Sequence, residues 1–134
     1  MKRVVAFLLI SVMAVSACSS SSGSGLTGKA WQWQSGTDPG TPMPGVVPDP
    51  QNYTATFNTD GSINVKADCN NANGTYKQSG SSLTIAFGVT TLAACPSGSL
   101  STAFLAGLEK AASYAIANDA LTITLSDTGT MSFK

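Results

Sequence analysis

The sequence predicts a mainly β, α+β domain: a curved antiparallel sheet or small β-barrel of about seven or eight short strands with one α-helix near residues 99–112 packed against it. Three observations carry that expectation. Apolar and polar residues alternate in short runs from Tyr53 onward, the pattern of strands with one buried face. Turn residues separate those runs at short intervals, so successive strands pair as antiparallel hairpins. A single stretch, around Leu100, Phe104 and Leu108, repeats its apolar residues at helical spacing.

Each element follows in order. Trp31 and Trp33 alternate with Gln32 and Gln34, a short strand with one aromatic face. Residues 38–50 hold five prolines (Pro39, Pro42, Pro44, Pro48 and Pro50). Proline supplies no ladder donor, so this segment reads as an extended surface loop, either a variable insertion or an exposed recognition loop. Tyr53, Ala55 and Phe57 alternate with threonines, Asn58-Thr59-Asp60-Gly61 turns the chain, and Ile63, Val65 and Ala67 return it. Asn70-Asn71-Ala72-Asn73-Gly74 reads as a polar turn, because Asn and Gly tolerate positive φ.

An internal echo follows. Tyr76 precedes Leu83-Thr84-Ile85, and Tyr114 precedes Leu121-Thr122-Ile123 at the same spacing. Each interval holds turn residues, Ser79-Gly80-Ser81 in one and Asn118-Asp119 in the other, so two similar hairpins are expected. Between them Leu100, Phe104, Leu108 and Ala111 or Ala112 mark the helix, which Ser97 or Ser99 can cap after Pro96. Leu121, Ile123 and Leu125, a turn at Asp127-Thr128-Gly129, and Met131 with Phe133 complete the sheet.

The N-terminus carries a different message. Lys2 and Arg3 precede an apolar run of about a dozen residues, shorter than the roughly 20 that span a bilayer. Residues 1–17 therefore read as a removable signal. Val15-Ser16-Ala17-Cys18 resembles the lipobox of bacterial lipoproteins, and the resemblance implies that Cys18 is lipidated with acyl chains and becomes the new N-terminus. Residues 18–25 would be the lipidated cysteine and a Ser/Gly tether, and residues 26–134 the folded domain. The expected location is the cell envelope, lipid-anchored and extracytoplasmic. Ser19, rather than Asp, resembles outer-membrane sorting, facing the periplasm, if the cell is Gram-negative.

Without residues 1–17 the chain keeps five lysines, no arginine and seven acids, a net charge of about −2. There is no basic patch, which argues against nucleic acid. With Cys18 assigned to lipid, Cys69 and Cys95 remain, and two cysteines in a small extracytoplasmic domain most often pair. A redox pair is the competing reading, but it lacks Cys-x-x-Cys spacing and a neighbouring cation.

The chain contains no histidine, which removes Ser-His-Asp and Cys-His catalysis and most catalytic zinc sites. Asp60, Asp68, Asp119 and Asp127 could in principle pair for glycoside hydrolysis, yet most lie beside Gly or Asn in expected turns. No catalytic residue, metal site or cofactor is therefore expected. Trp31, Trp33, Tyr53 and Tyr76 are the candidate binding surface; the competing reading makes them core aromatics.

Several stretches together resemble the META domain family, the HslJ-like group. They are Trp31-Gln32-Trp33, Tyr53 to Gly61, Ala67-Asp68-Cys69-Asn70, Gly74-Thr75-Tyr76, Thr91 to Pro96, Phe104 to Leu108, Leu121-Thr122-Ile123 and Met131-Ser132-Phe133. The resemblance covers residues 26–134. It implies a small β-rich fold on secreted or lipid-anchored proteins, loosely linked to stress tolerance, with no shared catalytic centre. Cys69-Asn70 and Ala94-Cys95-Pro96 match family motifs and fit a disulfide between the sheet and the start of the helix. The expected function is a non-enzymatic envelope lipoprotein that acts in stress tolerance or maintenance, with the membrane and an unidentified envelope protein as partners. The alternative is a small-ligand or lipid-binding module that uses the concave face of the sheet.

Overall fold

The computed structural model describes residues 25–90 and 93–134. Eight antiparallel strands close into a barrel in simple sequence order. They are β1 (Ala30–Thr37), β2 (Tyr53–Phe57), β3 (Ser62–Ala67), β4 (Asn70–Ser79), β5 (Ser82–Thr90), β6 (Ala111–Ala117), β7 (Ala120–Leu125) and β8 (Thr130–Phe133). One helix, α1 (Ser101–Glu109), lies between β5 and β6. The expected small barrel with a single helix is thus the architecture observed.

The alternation that predicted the strands fills the barrel. Tyr53, Ala55 and Phe57 of β2, Ile63, Val65 and Ala67 of β3, and Leu121, Ile123 and Leu125 of β7 all point inward and are buried. Trp31, Trp33, Met131 and Phe133 join them from β1 and β8. Side chains occupy the interior, as they do in other eight-stranded barrels.

The two echoed hairpins share one register. Tyr76 stands opposite Ile85 in β4–β5, and Tyr114 opposite Ile123 in β6–β7. Their turns differ. Asn118 and Asp119 both have positive φ, as a type I′ turn requires, whereas Gly80 alone does in the other turn. The Gln78 amide donates to the Tyr114 hydroxyl, and Tyr114 N–H donates to Ser81 O at 2.9 Å, so the hairpins are joined. The β5–β6 seam has one registered pair, Ser82 with Ser113, at the hairpin end; beyond Thr90 the chain leaves the sheet to form α1 before β6 begins.

Three expectations need correction. Residues 70–74 are strand, not turn. The reversal falls one step earlier, at Asp68, whose φ is 58°. The polar side chains form a ladder on the barrel's outer face: Asn58 Nδ2 donates to Asn64 Oδ1, and Asn64 Nδ2 to Asn73 Oδ1, each at 2.7 Å. Gly74 is required because a Cβ there would collide with the Ala86 carbonyl at the β4–β5 bulge. The helix is shorter than 99–112: Lys110 caps it, with its N–H donating to Gly107 O, and Ala111 already pairs with Leu125 in the sheet.

The Pro-rich segment is the third. It is an extended loop, as expected, but it is held along β1 as a strap rather than standing out from the surface. Gly36 N–H donates to Pro44 O at 3.0 Å and Val47 N–H to Gln34 O at 2.8 Å. Val47 is buried and Met43 half-buried, while Val46 between Gly45 and Val47 is 77% exposed.

Candidate functional site

The strand directions divide the barrel into two ends. The turns β2–β3, β4–β5 and β6–β7 lie at one end, with the segment from Gly25 that enters β1. The strap, the β3–β4 corner, the residues before α1, α1 itself and the β7–β8 turn lie at the other. Most long-range polar contacts collect at this helix end, which is the candidate site.

Phe104 anchors α1 in the barrel mouth. Its ring stacks on Trp33 at 5.1 Å and meets Tyr53 edge-on at 5.7 Å, with Phe133 at 6.2 Å. Leu108, one turn on, is also fully buried. The start of the helix is capped from afar: the Tyr53 hydroxyl accepts Leu100 N–H at 2.9 Å, and Ser99 Oγ accepts Ser101 N–H at 3.2 Å. The N-cap residue is Leu100, whose side chain offers no cap bond, so the Tyr53 hydroxyl supplies it.

Cys69 Sγ and Cys95 Sγ stand 1.97 Å apart across a separation of 26 residues. In the chain-entropy picture such a crosslink stabilises by about 3.5 kcal/mol. Beside it, buried Asn70 makes three hydrogen bonds that join the Ala93 segment and the start of α1 to β4. Its Oδ1 accepts Ala93 N–H at 2.6 Å, while Nδ2 donates to Ala93 O at 3.3 Å and to Ser101 Oγ at 2.9 Å. Two open grooves of about 270 Å3 each flank this residue. One, between α1 and β5, has an apolar floor of Phe87, Leu105 and Ala106 with Glu109 at its rim. The other runs beside Cys95, Pro96 and Ser99.

Lys110, just past α1, holds two carboxylates. Its Nζ donates to Asp38 Oδ2 at 2.7 Å and to Asp127 Oδ2 at 2.9 Å. The start of the strap is thereby tied to the helix and to the β7–β8 turn. The Asp38 side chain is fully covered, and Lys110 is 30% exposed. The hydrogen bond from Lys110 holds the Asp38 carboxyl well below the usual carboxylate range, and the same bond raises the Lys110 ammonium above its ordinary value.

The sequence-predicted residues are distributed differently from the expected surface. Trp31, Trp33 and Tyr53 are at most 5% exposed and belong to the core, so they form no surface groove. Trp31 Nε1 donates to Leu26 O and Trp33 Nε1 to Ser35 O, both at 2.8 Å, which satisfies their polar atoms inside. Tyr76 closes the opposite end of the barrel, edge-on to Phe57, with its hydroxyl donating to Asn58 O at 2.7 Å. Burial raises its phenol above the ordinary value. These rings occupy the interior of the barrel together with the aliphatic core. Cys18 lies outside the described residues.

The candidate carboxylates do not converge. Asp60 accepts Ser62 N–H and Ser62 Oγ–H within its own turn, and those bonds lower its carboxyl below the usual range. Asp127 is committed to Lys110, while Asp68 and Asp119 occupy positive-φ turn positions at opposite ends. Among the described residues, no three or more Asp, Glu, Cys or His side chains gather as metal ligands. No helix of the described residues is long and apolar enough to cross a membrane.

Sequence reasoning missed the Asp38–Lys110–Asp127 cluster, the Asn70 clamp and the seat of Met43. Asn70 had a signal, its place beside Cys69. The others join residues far apart in the chain, and no local pattern marks them.

The META domain model matches residues 24–134. Two solved structures share the fold. A DUF4847 family protein from Bacteroides vulgatus, in a crystal structure, aligns with a TM-score of 0.58 at 15% identity, over 81% of this chain and 92% of its own. A protein from Burkholderia xenovorans, solved by NMR, aligns with a TM-score of 0.63 at 18% identity, over 82% of this chain and 83% of its own. No curated protein matches the chain. The match over residues 24–134 places this chain in the META domain family, with the barrel and its crossing helix as the fold.

Proposed function

We propose that this META domain is a lipid-anchored, non-enzymatic protein of the bacterial cell envelope that acts in stress tolerance or maintenance through contacts with another protein. The observation that carries the reading is Ser16-Ala17-Cys18 after a charged start and a short apolar run. Acyl chains on Cys18 would hold the protein stably, because two or more chains exceed the marginal binding of one. The reading has a geometric consequence. The described residues begin at Gly25, on the hairpin end, and six residues separate it from Cys18. That length spans at most about 25 Å. The anchor therefore holds the hairpin end towards the membrane and leaves the helix end facing away, as the surface for protein contacts.

Globomycin, which blocks cleavage of lipoprotein signals, tests the anchor. The expected result is accumulation of an uncleaved precursor, and Cys18→Ser should abolish acyl labelling. Unchanged processing under globomycin, or acyl labelling that survives Cys18→Ser, would refute the reading.

A further inference from the structure

Two of the four methionines, Met43 and Met131, meet at one glycine of α1. A Cβ on Gly107 would stand 2.5 Å from Met43 Cε and 2.7 Å from Met131 Sδ. A Cβ on Gly36 would stand 2.8 Å from Met43 Sδ. Two glycines from different elements thus form a socket into which the Met43 thioether fits, at the middle of the strap. A Cβ on either wall would require the Met43 side chain to move, so the thioether fits there because both walls are glycine. The two methionines differ in access: Met131 is fully buried, while Met43 is half-buried at the edge of the strap.

We propose that Met43 is a methionine-oxidation site, and that its sulfoxide releases the strap from the helix end. The oxidant is a hydroperoxide. The Met43 sulfur attacks the terminal peroxide oxygen, the O–O bond breaks and an S=O bond forms; the proton on the transferred oxygen passes to the departing one, which leaves as water from hydrogen peroxide or as the alcohol from an organic hydroperoxide. Sulfur loses two electrons and the peroxide gains them. The product is a polar, bulkier head in a socket already closed on Gly36 and Gly107, with an added oxygen that wants a hydrogen-bond donor. The strap cannot seat that head, so it lifts. Its other ties near the socket are two backbone bonds, Gly36 N–H to Pro44 O and Val47 N–H to Gln34 O, and these break with it. The Asp38–Lys110 contact at its base remains as a hinge. The proposal is independent of the lipid anchor.

The test uses the purified full-length protein treated with graded hydrogen peroxide. Peptide mapping by mass spectrometry should show Met43 sulfoxide at doses that leave Met131 unmodified. Hydrogen exchange at Gly36 and Val47 should then accelerate about tenfold or more, with strand amides in β3 and β7 unchanged. Met43→Leu fills the socket without a thioether. It should keep both amides slow before and after peroxide, whereas Met131→Leu should retain the response. Oxidation of Met131 before or together with Met43, or Met43 sulfoxide with Gly36 and Val47 still slow, overturns the proposal. So does an equal acceleration in Met43→Leu.

Discussion

At the hairpin end the chain reverses within a few residues, at Asn58–Gly61, Gly80–Ser81 and Asn118–Asp119, and neighbouring residues supply most of the contacts. At the helix end the corresponding contacts cross the sequence: Asp38 to Lys110, Tyr53 to Leu100, Asn70 to Ser101 and Cys69 to Cys95. One end is built from local turn chemistry. The other is built from separated residues that meet only in the fold. Local turns can vary singly, but the helix end must change as a unit, because Phe104, Tyr53, Asn70 and Lys110 each hold more than one element.

The largest effect that sharpens this contrast should come from Phe104→Ala. It removes a fully buried ring that touches Trp33, Tyr53 and Phe133, and denaturant titration should show a loss of about 3–5 kcal/mol. A loss below about 1 kcal/mol would show that α1 is only an accessory to the barrel.

Next comes the ion cluster. The folded Asp38 carboxyl titrates below its unfolded value, near 4. Its stabilisation is therefore complete above about pH 4 and disappears as the pH falls towards the depressed folded value. Thermal melts should show the native protein exceeding Asp38→Asn by a constant margin from neutral pH to about 5, with the margin closing below 4. A margin as large at pH 2 as at neutral pH would remove the carboxylate from the account.

The smallest effect belongs to the hairpin end. Asn118→Ala places an alanine at φ 52° and should cost about 1 kcal/mol, with no change in the protection of helix-end amides. A change that spread to Leu100 or Ser101 would mean that the two ends are not separable.

The same contrast explains what could be read from the sequence. The hairpins were legible because strand alternation and turn residues are local: Tyr53 to Ala67 gives its own register, and Asn118-Asp119 its own turn type. Asn70–Gly74 was misread because its asparagines resemble a turn when the partner strand is unseen. Only pairing with Asn64 and Lys66 makes them a strand. Ala111 extended the helical stripe, but Leu125 claims it for the sheet. In the strap, Met43 and Val47 are isolated apolar residues among prolines, and nothing nearby announces Gly36, Gly107 or Lys110 as partners. Of the aromatic residues offered for a surface, Trp31, Trp33 and Tyr53 are core, as in the competing reading, because the barrel closes around them, and Tyr76 is half-buried at the hairpin end.

The claim that the helix end is the working surface and the hairpin end faces the membrane can be tested in intact cells with a photocrosslinking amino acid. At the helix end it would replace exposed Val46 or Thr102, and at the hairpin end exposed Thr59 or Ser81. The account predicts discrete protein adducts from Val46 and Thr102, and none from Thr59 and Ser81. Adducts from Thr59 and Ser81 alone, or from none of the four positions, would contradict it.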